Sequence, residues 1–331
     1  MRRHILNRPE DVVDEAIQGF ALANSSIVSY DRAAEIVTRA TPARDKVGLV
    51  SGGGSGHEPL HAGFVGTGML DVAVPGAVFA SPTALQVHEG TVAADSGRGV
   101  VQIVKNYTGD VLNFQIAGEL AGDNAIATET VLVDDDLATE TVADGPGRRG
   151  TAAVLAVEKI CGASAEAGAR LAEVAGLGRR VARNARTLSL ALSSGTHPGA
   201  AEPAFSLPGD AIELGVGIHG ERGTGRVGFA GADALVELLA APLVAELGLS
   251  GGSPVIAIVN GLGSATSLEL HIGARALHHY LAERDIPVAR WLVGSYVTSL
   301  DMHGLSITLL PADADLLPLW DAPVRTPALT W

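Results

Sequence analysis

The chain has 331 residues, 47% hydrophobic and 18% charged, which suits about two domains with a substantial core and excludes a disordered chain. Its 23 Lys and Arg against 37 Asp and Glu leave a formal charge of −14, an argument against nucleic acid or an anionic membrane as the main partner. The 41 glycines follow no fixed period, which excludes collagen and solenoids, and the single cysteine, Cys161, cannot form an internal disulfide and points to a reducing compartment.

The N-terminal stretch MRRHILNRPEDVVDEA carries two arginines but no apolar segment, so no secretory signal is expected. The longest uncharged runs, near 72–88 and 247–268, are broken by Pro, Gly, Ser or Asn and do not read as membrane spans. A cytoplasmic chain is the resulting expectation. Asn7 and Pro9 then open a helix with Glu10 and Asp11 in its first turn and Val12, Val13, Ala16, Ile17 and Phe20 on one face. Residues 47–50 read as a short strand entering a glycine loop. Residues 100–104 and 126–133 read as further strands. Residues 151–161 and 165–185 read as two helices with Gly162 as the stop between them.

In the second half, 188–192 reads as a strand and 197–208 as a Pro- and Gly-rich loop. Ile212, Leu214, Val216 and Ile218 alternate, which predicts a strand over 212–218. Helices are predicted over 232–247 and 267–285, and strands over 255–259, 287–293 and 305–310. The alternation gives an α/β chain of two domains, each a sheet layered with helices. The division is placed near residue 186, giving 1–186 and 187–331, with no long linker.

Several glycine and histidine motifs match well-known patterns only in part. His57-Glu58-Pro59-Leu60-His61 fits H-E-x-x-H, but a zinc site of that type needs both histidines on one continuous helix. Glycines precede His57, and Pro59 lies between the histidines, where it would break such a helix. Two G-x-G-x-x-G matches begin at Gly215 and Gly223. The first follows a strand but enters no apolar helix; the second precedes a helix but follows no strand. No phosphate-binding G-x-x-x-x-G-K-[ST] occurs.

Three segments remain. Gly52, Gly53, Gly54, Ser55 and Gly56 lead into His57 between a strand and a helix, so that backbone N–H groups can approach a small polar ligand. The alternative is a tight turn with a surface histidine. Lys105 and Asp110 follow a predicted strand, where α/β proteins bind ligands. Alone, Asp110 reads at least as well as the N-cap of a helix starting at Val111, and Lys105 as a solvated charge or structural ion pair. His219 ends the alternating strand between glycine-rich stretches, either exposed to a substrate or satisfied in the core.

Taken together, GGGSGHEPLHAGFVG, GAVFASP, VKNYTGD, GRRG, ELGVGIHGE, VNGLG and TSLDMHGLSITLL resemble the substrate-binding subunit family of dihydroxyacetone kinase, in family order over about residues 45–310. The resemblance implies a two-domain α/β homodimer that binds a short ketose between its domains. It implies that His219 joins the ketose carbonyl as a hemiaminal, that His57 is a proton acceptor, and that Asp110 bonds the hydroxyl to be phosphorylated. It assigns substrate contacts to Gly53, Gly54, Ser55, Gly56, His57, Lys105 and Asp110. A neutral imidazole is a nucleophile and a ketone an electrophile, so this chemistry selects carbonyl compounds over glycerol.

ATP-dependent members carry a further helical domain, which a chain ending at Trp331 does not contain. The expectation is therefore no cofactor or metal on this chain, with nucleotide and magnesium on a partner subunit that a phosphotransferase system recharges in one branch. Gly195 stands where relatives often have cysteine, and His303 where a small residue is usual. His303 is expected to cap or pack locally. The competing readings are a ketose-sensing regulatory paralogue and a kinase subunit for a four-carbon ketose such as erythrulose. Retention of His57, Asp110 and His219 together favours catalysis.

Overall fold

A computed structural model of the chain describes residues 4–139 and 147–331; the two N-terminal arginines lie outside these. The contacts divide the chain into two units. One comprises His4–Val133, Val154–Ala182 and Asp315–Trp331. The other comprises Arg183–Ala314 with the described parts of Asp134–Ala153. One crossing, after Ala182, lies beside the division expected near residue 186. The crossings after Val133, Ala153 and Ala314 have no counterpart in that expectation. Among the described residues no helix is long and apolar enough to cross a membrane.

The first unit holds strands β1 (Val28–Asp31), β2 (Ile36–Arg39), β3 (Gly48–Ser55), β4 (Val72–Val78), β5 (Val100–Lys105) and β6 (Thr128–Val133) in the order β1-β2-β4-β3-β5-β6. Strands β4, β3, β5 and β6 are parallel, with β1 and β2 antiparallel at one edge. Its helices are α1 (Val12–Ala23), α2 (Ala84–Ala94), α3 (Thr108–Asp123), α4 (Val154–Glu166) and α5 (Leu171–Asn184). The residue alternation of a strand sends Val50, Val74, Val100 and Val104 into one core layer with Val87 of α2 and Phe114 of α3. The alternate positions, including Val101, Ile103 and Lys105, project from the opposite face of β5.

Three expectations change here. Strand β3 does not end at Val50 but continues through the glycines to Ser55. A side chain at Gly52 would meet the Val74 carbonyl oxygen at 2.5 Å, and one at Gly54 would meet the Phe79 backbone at 2.8 Å, so the glycines permit close strand packing. Helix α4 runs through Gly162 rather than stopping there; the glycine serves close packing, since a side chain at 162 would collide with the Gly68 backbone. Helix α3 begins at Thr108 with Tyr107 as its N-cap, which puts Asp110 inside the first turn and removes the capping role. Strands β1, β2 and β4 and helix α2 were not anticipated.

The second unit holds β7 (Arg186–Ser193), β8 (Ala211–Leu214), β9 (Gly225–Gly228), β10 (Val255–Gly261), β11 (Val288–Gly294) and β12 (His303–Pro311), in the order β11-β10-β12-β7-β8-β9. Helices α6 (Ala232–Glu246) and α7 (Ser267–Ala282) pack Leu239 and Leu277 against Val259 and Ile307. Thr266 and Glu269 form a capping box at the start of α7, and the other oxygen of Glu269 meets His303 Nε2 at 2.9 Å. His303 thus packs locally.

The strand predicted over 212–218 stops at Leu214. Gly215 takes φ +73, and the Leu214 carbonyl accepts a hydrogen bond from Thr224 N at 2.8 Å. The intervening residues loop out before the chain returns as β9. His219 therefore sits in a turn between two strands and not at a strand end.

Candidate functional site

In the first unit, the site begins where two parallel strands part. Strand β3 is registered with β5 only from Gly48 to Ser51, whereas it follows β4 on to Ser55. Beyond the split, the Gly52 carbonyl accepts a hydrogen bond from Lys105 Nζ at 3.3 Å. Lys105 is the last residue of β5 and is fully buried. Its ammonium lies 3.0 Å from His61 Nε2 and 3.9 Å from Asp110 Oδ2. His61 Nδ1 lies 2.7 Å from Glu158 Oε1, on the buried length of α4. A side chain at Gly53 would collide with Lys105 Nζ and come within 3.6 Å of Asp110 Oδ2.

The remaining predicted residues of this unit follow along the end of β3 and the turn after it. Ser55 Oγ donates to the Gly76 carbonyl at 2.7 Å, tying β3 to β4. Gly56 N donates to both Glu58 oxygens, at 3.0 and 3.1 Å. His57 is fully buried with its ring stacked on Phe79, centroids 5.2 Å apart, so it is not a surface histidine. The segment from His57 to His61 is a turn, so the H-E-x-x-H residues do not share a helical face. Among the described residues no three His, Cys, Asp or Glu side chains are placed to hold a metal ion.

Burial dominates the electrostatics. It holds His61 well below the ordinary histidine value, reinforced by the positive charge of Lys105. It lowers Lys105, opposed by the carboxylates of Asp110 and Glu158, and pushes Glu158 well up against the pull of Lys105. Asp110 is 4% exposed, and among the described residues its Oδ1 receives no hydrogen bond. A buried carboxylate oxygen left open in this way is costly unless a ligand donates to it.

The second unit supplies a separate arrangement in the turn after β8. Glu221 Oε2 accepts from the His219 backbone N–H at 2.9 Å, and Oε1 lies 3.2 Å from His219 Nδ1. Arg149 is held by Asp136 Oδ2 at 2.8 Å and by the Gly215 carbonyl at 3.0 Å. Burial pushes Asp136 up to about 6 despite the charge of Arg149. Burial would also raise Glu221, but the hydrogen bond and charge of His219, with Arg149, outweigh it and hold that carboxyl at about 2. An ionised carboxylate only accepts, so in the neutral form of His219 the proton is on Nδ1 and the lone pair on Nε2. The His219 side chain is 17% exposed.

Gly53, Gly54, Ser55, Gly56, His57, Lys105 and Asp110 thus gather in one unit, and His219 stands in the other. His61, Glu158, Glu221 and Arg149 were not selected from sequence. The available signal for Glu158 was a pair of adjacent charges, Glu158 and Lys159, in the otherwise apolar run AAVLAVEKICGA. Gly195 packs 2.8 Å, measured from a hypothetical side chain, from the Ser299 carbonyl oxygen.

The Dak1 domain family matches residues 18–328. The PTS-dependent dihydroxyacetone kinase 1, dihydroxyacetone-binding subunit DhaK, of Listeria innocua is 45% identical over 308 residues, covering 93% of this chain and 94% of its own. The crystal structure of the dihydroxyacetone kinase from C. freundii in complex with AMP-PNP and Mg2+ superposes with a TM-score of 0.90 at 34% identity, covering 98% of this chain and 60% of that one. A dihydroxyacetone kinase operon co-activator, Dha-DhaQ, superposes with a TM-score of 0.90 at 31% identity, covering 95% of this chain and 97% of that one. On the match along nearly its whole length, the chain belongs to the Dak1 family, which it shares with the dihydroxyacetone-binding subunits of dihydroxyacetone kinases.

Proposed function

We propose that this chain is the dihydroxyacetone-binding subunit of a dihydroxyacetone kinase, a phosphotransferase component that holds the ketose while a partner subunit delivers the phosphoryl group. The observation that carries the reading is Asp110: a buried carboxylate with one oxygen open and a lysine ammonium 3.9 Å from the other. A regulatory ketose binder has no need of such a base. The 45% identity to a subunit of that name supports the same assignment.

In this reading the His219 Nε2 lone pair attacks the ketose carbonyl carbon. The C=O π electrons move to oxygen, which takes a proton from solvent water to become the hemiaminal hydroxyl, and Glu221 balances the imidazolium charge that develops. His57 and the backbone of Gly53, Gly54, Ser55 and Gly56 serve as polar contacts to the ketose. Asp110 takes the proton of a terminal hydroxyl as its oxygen attacks the phosphorus of the donor. The donor P–O bond breaks and the nucleoside diphosphate leaves. The nucleotide and its magnesium belong to the partner. The resemblance extends the proposal to a cytoplasmic homodimer acting in glycerol metabolism, with a phosphotransferase-system protein recharging the partner.

The test is reconstitution. The purified chain, dihydroxyacetone, ATP and magnesium are combined with a nucleotide-binding dihydroxyacetone kinase subunit, and dihydroxyacetone phosphate is measured. Product formation only with both subunits supports the reading. Ketose binding without turnover, across several such partners, replaces it with a regulatory role like that named for the co-activator.

A further inference from the structure

The proposed contacts leave His61 and Glu158 without a role, although both are buried and joined to Lys105. We infer that His61 and Glu158 form a positioning pair that holds the Lys105 ammonium away from a direct ion pair with Asp110, leaving that carboxylate available to the ketose hydroxyl. The inference rests on the reading above in which Lys105 and Asp110 meet the substrate.

The hydrogen-bond inventory fixes the direction of the chain. An ammonium has three donors and no acceptor. His61 Nε2, 3.0 Å from Lys105 Nζ, therefore accepts. A neutral imidazole that accepts at Nε2 carries its proton on Nδ1, so Nδ1 donates to Glu158 Oε1 at 2.7 Å. This holds whether or not Glu158 carries a proton on its other oxygen. Burial keeps the His61 ring neutral, as the chain requires.

The charged and titratable groups acting at this point are Asp110, Glu158, His57 and Lys105. Two acceptors, His61 Nε2 and the Gly52 carbonyl, hold Lys105 from the β3 and α4 side. Asp110 stands at 3.9 Å, outside hydrogen-bond reach. In a buried site an ammonium freed from His61 is drawn onto the nearest carboxylate. It would then pair directly with Oδ2, and the negative charge it neutralises there is charge that the open Oδ1 needs to take the hydroxyl proton. A displacement of about 1 Å in such a group costs up to about 100-fold in rate. His61 and Glu158 thus act through Lys105 and do not themselves touch substrate.

Two substitutions and one measurement on the unaltered protein test this. His61→Asn keeps a donor towards Glu158 but removes the acceptor facing Lys105. It is expected to lower kcat of the reconstituted kinase about 10- to 100-fold with the ketose KM within about twofold. His61→Gln places an amide oxygen near the former Nε2 and is expected to recover most of the lost rate. Equal losses for both substitutions, or a KM effect alone, would overturn the inference. Nitrogen-15 NMR of the wild-type chain by itself, with no partner, reads the tautomer independently of folding in the variants and of kinase activity. His61 is expected to be protonated on Nδ1 and bare on Nε2 throughout about pH 6 to 8. A ring protonated on Nε2 contradicts the positioning pair, even in a chain whose kinase activity is established.

Discussion

Glu221 holds His219 at two points, taking its backbone N–H on Oε2 at 2.9 Å and facing Nδ1 with Oε1 at 3.2 Å. Both contacts come from a residue two positions later in the same turn, so the ring orientation is fixed locally. The carboxylate also selects which ring nitrogen is nucleophilic.

Replacing Glu221 by Gln removes the charge while keeping the shape. A hydrogen bond to a charged group contributes about 1.5–3 kcal/mol, so ketose affinity is expected to fall about 10- to 100-fold. Calorimetric titration with dihydroxyacetone measures this, and unchanged affinity would remove Glu221 from the account. The carboxyl sits at about 2 in the folded chain against an ordinary 4.5. The unfolded state therefore binds more protons between those values. The stabilisation is present above about pH 4.5 and is lost as the pH falls towards 2. The stability difference between wild type and Glu221→Gln should shrink over that interval in acid-unfolding experiments.

Asp110→Asn is expected to bind ketose near the wild-type level and to lose about 100- to 10,000-fold in turnover. The amide keeps an acceptor but cannot take the hydroxyl proton. Steady-state kinetics of the reconstituted enzyme, with ketose affinity measured separately, divide the two effects. Near-wild-type turnover would leave the open carboxylate oxygen without a catalytic role.

Gly162→Ala sets two expectations against each other. Helix propensity alone favours Ala over Gly by about 1 kcal/mol. The new methyl would collide with the Gly68 backbone, where no flexible side chain can yield. Overpacking of this kind costs about 1–3 kcal/mol, so the urea midpoint should fall with an unchanged slope. A raised midpoint would mean that the Gly68 segment moves aside without cost.

Cys161 should not react while the chain is folded. It is fully buried on α4, and burial, with the negative charge of Glu158, pushes its thiol up to about 12. A thiol-specific reagent at about pH 8 is expected to label it only after denaturation. Rapid labelling of the native chain would mean that α4 opens readily.

Much of the candidate site was legible because strand ends and glycine clusters mark it in sequence. Lys105 and Asp110 follow an apolar run of β type, and three consecutive glycines before His57 exceed what a turn requires. Their roles were less legible. Asp110 read as a helix cap, because the start of α3 at Thr108 is set by Tyr107, which has no capping side chain. His61 was set aside together with the zinc motif. Its partner Glu158 is 97 residues away, and only the packing of α4 against β3 and β5 brings it near. Strands β1 and β2 have four residues each and offer too short a window for a periodic signal. The strand predicted to reach Ile218 failed at Gly215, whose positive φ the alternation of apolar residues does not register.

The central claim is that His219 holds the ketose covalently through Nε2. A crystal structure of the chain soaked with dihydroxyacetone tests it most directly. The account predicts continuous electron density joining the ketose carbonyl carbon to Nε2 of His219, with Nδ1 still facing Glu221. A ketose bound with no bond to that ring would contradict it, even if kinase activity were present.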